Sequence, residues 1–205
     1  VFILALSTGV ITDTLALGVK HLQERTKHTQ AIILYDTLCA VVENDLTYAT
    51  GYNIDSGIVY FTSTAKDVAG FEWVQYGTGD WDASKALQFD DNEVMNWKPC
   101  SKDKNPDSKY PQIIRKGKTP PIDGKSSYYY TALTSSQDYS GKSLGGLTSK
   151  SPLYATIQIE PKVSASAQLC FTVTISIFDD KNKLLAGGDE FDVIPIGTIE
   201  SLVIS

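Results

Sequence analysis

Residues 1–50 read VFILALSTGVITDTLALGVKHLQERTKHTQAIILYDTLCAVVENDLTYAT, and this stretch decides the architecture. Val1 to Val19 is apolar except for Ser7, Thr8, Thr12, Asp13 and Thr14, and from Val19 to Thr50 there is neither Gly nor Pro. Ile32, Tyr35, Cys39, Val42, Leu46 and Ala49 recur at alternating spacings of three and four, the period of one helical face. A second row, Leu34, Leu38, Val41 and Tyr48, lies beside the first, so the apolar surface is wide enough to want partners on two sides. Lys20 to Gln30 joins the two halves with tolerable helix formers, Glu24 being spaced to meet Lys20, Lys27 and His28.

The spacing predicts one helix over residues 1–50, apolar over 1–19 and amphipathic over 20–50, roughly 75 Å long at ~1.5 Å per residue. That length exceeds the diameter of a small domain, so the N-terminal half must project. An apolar projecting half can rest only in a bilayer or against copies of itself. A secretory signal is disfavoured because Val1-Phe2-Ile3 offers no basic residue. A span of about 19 residues would just cross a bilayer, but Asp13 near its middle costs roughly 2.5 to 3.5 kcal/mol in lipid, which directs that face towards protein.

From Gly51 the helical period stops. Gly51-Tyr52-Asn53 reads as a terminator and Asp55-Ser56-Gly57 as a turn. Beyond them, segments rich in β-branched and aromatic residues alternate with Gly, Asp, Asn, Pro and Ser: 57–64, 71–76, 86–89, 94–97, 112–116, 127–133, 153–161, 168–178, 183–195 and 198–204. In two of them the alternation is clean. Ala155, Ile157 and Ile159 oppose Tyr154, Thr156, Gln158 and Glu160, while Phe171, Val173, Ile175 and Ile177 oppose Thr172, Thr174, Ser176 and Phe178. Asp179 to Lys183 forms a hairpin turn, and Gly187-Gly188 permits a bulge. The expected fold class is therefore α+β: one long N-terminal helix (1–50) followed by a mostly antiparallel β-sheet globular domain (51–205), a sandwich or a roll.

Composition narrows function. A net charge of −6 with scattered Lys and Arg does not make a phosphate-binding surface, so nucleic acid is not an expected partner. His21 and His28, the only histidines, sit on the polar part of the helix with no further ligand spaced to complete a metal site, and no metal or cofactor is expected. Gly124-Lys125-Ser126 and Gly141-Lys142-Ser143 lack the earlier glycine of a phosphate loop, Asp90 to Glu93 lacks the pattern of an EF-hand, and the carboxylates Asp80 and Asp82 show no common cleft. The chain does not read as an enzyme. No Asn is followed by Ser or Thr two positions on.

An apolar helical half, an amphipathic half and a β-rich domain with a cysteine pair resemble the type IV pilin superfamily. The tract Val42-Glu43-Asn44-Asp45-Leu46-Thr47-Tyr48-Ala49-Thr50-Gly51-Tyr52 is similar to the end of the long helix in minor pilins and pseudopilins, where an acidic-Asp-Leu element precedes the exit loop. Val1-Phe2-Ile3-Leu4-Ala5 departs from the family's start, which carries Phe or Met after a processing glycine and a glutamate a few residues in.

The resemblance implies a structural subunit of an extracellular helical filament, held in the cytoplasmic membrane before assembly. Its copies would bundle through Phe2, Leu4, Leu6, Val10, Ile11, Asp13, Leu15 and Leu17, with Asp13 meeting the N-terminal amine or Lys20 of a neighbour. Export would allow Cys100 and Cys170 to bridge, closing a loop worth roughly 4 kcal/mol in the chain-entropy model, while Cys39 stays free on the helix. The alternative is a membrane-anchored surface binding module that does not polymerise, with the Tyr-rich strand around Tyr128, Tyr129 and Tyr130 near its ligand.

Overall fold

The computed structural model describes residues 2–55, 58–63, 73–79, 87–88, 98–99, 112–118, 128–133, 153–163, 169–179, 181–197 and 200–201; on the helix, side chains are described from Leu15 onward. A single helix, α1, runs unbroken from Phe2 to Thr47, about 70 Å for its 46 residues. The strands are β1 (Ala49–Asp55), β2 (Ile58–Ser63), β3 (Trp73–Gly79), β4 (Leu87–Gln88), β5 (Lys98–Pro99), β6 (Gln112–Lys118), β7 (Tyr128–Ala132), β8 (Tyr154–Val163), β9 (Leu169–Phe178), β10 (Leu184–Val193) and β11 (Glu200–Ser201). One N-terminal helix followed by antiparallel sheets is the α+β organisation that the periodicities implied.

Two sheets form. The larger has the order β11-β1-β2-β3-β6-β7-β4, with β5 also pairing β3, and the smaller has the order β10-β9-β8. Among the described residues all pairings are antiparallel except β1 with β11, where the chain returns to lie parallel beside the strand that leaves the helix. Between β9 and β10 the register slips at Gly187, so the bulge expected at Gly187-Gly188 is present; both glycines have positive φ, 73° and 94°.

The core explains which helical face is used. Ala31, Leu34, Leu38, Val42 and Leu46 are buried in one cluster with Ala155 and Ile157 of β8, Phe171, Val173, Ile175 and Ile177 of β9, Val74 and Tyr76 of β3, and Ile113 of β6. The helix seats on β9 and β10 and reaches β2, while β8 touches β2 and β6, so helix and both sheets close over one interior. Each fully buried Leu or Ile there contributes roughly 1.5 to 3 kcal/mol before entropy is subtracted. The buried arc mixes the two rows read from the sequence: Ile32 and Tyr48 are exposed, and Tyr35 and Cys39 lie half-buried at its edge.

The largest departure is the exit from the helix. Gly51-Tyr52-Asn53 is strand, and β1 begins one residue after the helical turn ends at Tyr48. A remote segment supplies the cap: the Ile196 N–H donates to the Thr47 carbonyl at 3.0 Å, satisfying an acceptor that a glycine cap would otherwise serve. Tyr52 then packs edge-on against Phe171, ring centroids 5.9 Å apart, tying β1 to the smaller sheet. Lys98–Pro99, which falls between the expected strands, is a short strand, and Gln112–Lys118 runs two residues beyond its expected end. The expected segment 94–97 lies outside the described residues.

Candidate assembly helix

The helix is anchored at two levels. Near its end, Asp45 is fully buried and accepts from the Arg115 guanidinium (Nη2 to Oδ1, 2.5 Å) and the Tyr76 hydroxyl (Oη to Oδ2, 2.5 Å). Tyr76 on β3 and Arg115 on β6 are direct cross-strand partners, so their side chains share the face that meets the helix. A carboxylate taken out of water needs such charge-assisted partners, and both oxygens have one.

The upper anchor is Lys27, whose ammonium lies 3.6 Å from Asp179 in the β9–β10 turn. Asp179 also accepts from the backbone N–H groups of Lys181 at 2.8 Å and Lys183 at 2.9 Å, which folds the turn around its side chain. Burial, the largest single influence, pushes this carboxyl up, but the Lys183 and Lys181 N–H groups together with Lys27 outweigh it and hold the carboxyl below its ordinary value. In the same turn Asn182 adopts φ of 60°, and its side chain accepts from the Tyr154 hydroxyl, whose ring stacks on Phe178.

Four residues below Lys27, Ala31 is the first fully buried helical residue. Above Lys27 every described side chain is exposed except the half-buried Gln23. Leu15 is 65 % exposed, Leu17 58 % and Leu22 66 %, with Val19 between them. Large apolar side chains thus stand open to solvent on consecutive turns of the helix.

Of the residues expected to mediate assembly, Leu15 and Leu17 are therefore on open helix. Phe2, Leu4, Leu6, Val10, Ile11 and Asp13 lie on the same continuous helix, their side chains outside those described. Among the described residues no helix is long and apolar enough to cross a membrane. Cys170 is buried on β9; Cys100, and with it the expected bridge, lies outside the described residues. Cys39 is free and half-buried, its thiol pushed up by burial, and Tyr35, which hydrogen-bonds to it, has its phenol pushed up to about 12.

Other chemistry is sparse. His21 sits 4.0 Å from Glu24 on the exposed helix. Among the described residues no three His, Cys, Asp or Glu side chains converge as a metal site. A depression of about 220 Å³ on the outer face of β8–β10 is lined mainly by polar and charged residues, among them Glu160, Lys162, Thr172 and Glu190.

Sequence reasoning missed both anchors. Asp45 carried a signal, because an acidic residue spaced between Val42 and Leu46 on an apolar arc needs a buried partner; nothing local pointed to Arg115 as that partner. Comparison with protein-family models, with curated proteins and with solved structures gave no match to this chain.

Proposed function

We propose that this protein is a structural subunit of an extracellular helical filament of the type IV pilus kind, assembled through its N-terminal helix. The observation that carries the reading is the helix that leaves its domain above Lys27 with Leu15, Leu17 and Leu22 uncovered. Burying such side chains between copies contributes roughly 1.5 to 3 kcal/mol each, before the entropy of association is subtracted. The globular part then forms the outer wall. Of the two sheet architectures, a pilin-like roll fits better than a sandwich, because the helix covers the inner face of β9 and β10.

Before assembly the same apolar half rests in the cytoplasmic membrane, and the polymer lies at the cell surface. The subunit needs no cofactor in this role. Electron microscopy of material sheared from cells, with the subunit identified by mass spectrometry, tests the reading. Filaments built of this chain are the expected result; a monomer recovered only from membranes would replace the reading with a surface binding module that does not polymerise.

A further inference from the structure

The larger sheet has two faces, and the helix meets one of them. Val74 and Tyr76 on β3 and Ile113 and Arg115 on β6 belong to that face, so the residues alternating with them, Gln75 and Lys116, belong to the far one. Polar side chains on a sheet face turned from the core are ordinarily in water. Gln75 is instead 1 % exposed and Lys116 2 %.

Gln75 carries the anomaly. Its amide nitrogen Nε2 is buried and, among the described residues, meets no hydrogen-bond partner, although leaving a buried donor unmade costs more than a typical hydrogen bond gains. Lys116, its direct cross-strand partner, is engaged by other groups, and so is Lys118. The acceptor missing at Gln75 is what a ligand or a buried water supplies.

The strand register sets the company this amide keeps. Gln75 pairs with Lys116, which pairs with Tyr130 on β7; two residues along, Trp73 pairs with Lys118, which pairs with Tyr128. Cross-strand partners share a face, so these two rows bring aromatic residues at three positions together with one amide and two lysines. Exposure rises along β6 from the buried Lys116 to the half-buried Lys118, so the far face opens towards the row of Trp73 and Tyr128.

We propose that this far face is a saccharide-binding site, with the Gln75 amide donating to a sugar hydroxyl at its closed end. Sugar rings present what these residue types take: apolar C–H faces for aromatic residues, and hydroxyl oxygens for amide and ammonium donors. Single-stranded nucleic acid also stacks on aromatic residues, but its phosphates need a basic groove, and this chain carries a net charge of −6. The site is independent of the filament reading, since it requires no second copy.

The test applies the full chain, as wild type and as Gln75→Leu, to an array of immobilised oligosaccharides spanning neutral, amino and acidic sugars, and to a single-stranded DNA oligonucleotide; both proteins are also melted without ligand. Wild type should be retained by a subset of the sugars. Gln75→Leu should bind them at least about tenfold more weakly while melting no lower, because leucine removes a buried unpaired donor. Tyr128→Ala, on the row nearer solvent, should weaken the same sugars and carries the test if Gln75→Leu does not fold; Glu190→Gln, a control on the other sheet, should change nothing. A wild type that retains no sugar overturns the site, and so does retention that Gln75→Leu and Tyr128→Ala both leave intact. Binding of the oligonucleotide alone overturns the saccharide assignment. A Gln75→Leu protein that melts lower yet binds sugar as wild type does overturns it too, because the amide then serves the fold through a buried water.

Discussion

Arg115 on β6 reaches Asp45 on the helix at 2.5 Å, an ion pair spanning seventy residues of chain with both partners buried. It is the polar bolt between the helix and the larger sheet. Removing only one partner strands a charge, so Asp45→Ala should destabilise the protein by about 3 to 5 kcal/mol. Replacing both, as Asp45→Leu with Arg115→Met, should recover most of that loss, since a well-packed apolar pair often equals a buried ion pair. Chemical denaturation of wild type, Asp45→Leu, Arg115→Met and the double variant completes a cycle that measures the coupling. Two additive losses would mean that the pair is not one unit.

At Gly187 the Tyr35 side chain of the helix lies directly against β10. A Cβ there would lie 2.1 Å from the Ile175 carbonyl oxygen and 2.6 Å from the Tyr35 ring, at a φ of 73° that side chains seldom adopt. Gly187→Ala should therefore cost on the order of 2 to 4 kcal/mol through backbone shift and loosened helix packing. Pairing it with Tyr35→Ala should relieve the ring clash but not the carbonyl clash, so thermal melts should show only partial recovery.

The upper anchor makes stability depend on acid. Because Asp179 is held below its ordinary value, its stabilising contribution is fully present above the unfolded carboxylate range near ~3.9 and fades as pH falls through the lowered folded value. Wild type should lose stability between pH 5 and strongly acid solution more steeply than Asp179→Asn, in which this group no longer titrates. Other carboxylates cancel in that comparison. Amide exchange at the β9–β10 turn reports the same event locally, and parallel pH profiles for the two proteins would rule it out.

How much of this was legible follows from what each feature depends on. The helix and strands β8 and β9 are written in local periodicity, and the spacing of Phe171, Val173, Ile175 and Ile177 alone sets them on one face. Strand β1 was hidden because Gly51 and Asn53 read locally as a stop, while the forces that extend the chain come from afar: Ile196 capping Thr47, and Phe171 under Tyr52. The projecting Leu15 and Leu17 were anticipated from helix length alone. Neither anchor was, since Asp45 with Arg115 and Lys27 with Asp179 are pairings across the fold, and no one-dimensional spacing encodes them.

Gly18 separates what the isolated helix wants from what an assembly wants. Within α1 it sits in continuous helix, and a Cβ built there meets nothing within 4 Å. In a single chain Gly18→Ala should therefore raise helix stability by up to about 1 kcal/mol, because Ala has less backbone freedom to lose and no neighbour to strike. On the proposed filament reading, the missing side chain at Gly18 would permit the close crossing of a neighbouring helix. Gly18→Ala should then increase helicity by circular dichroism of the detergent-dissolved chain while lowering the yield of sheared filaments. Increased helicity with undiminished yield would place the crossing away from Gly18.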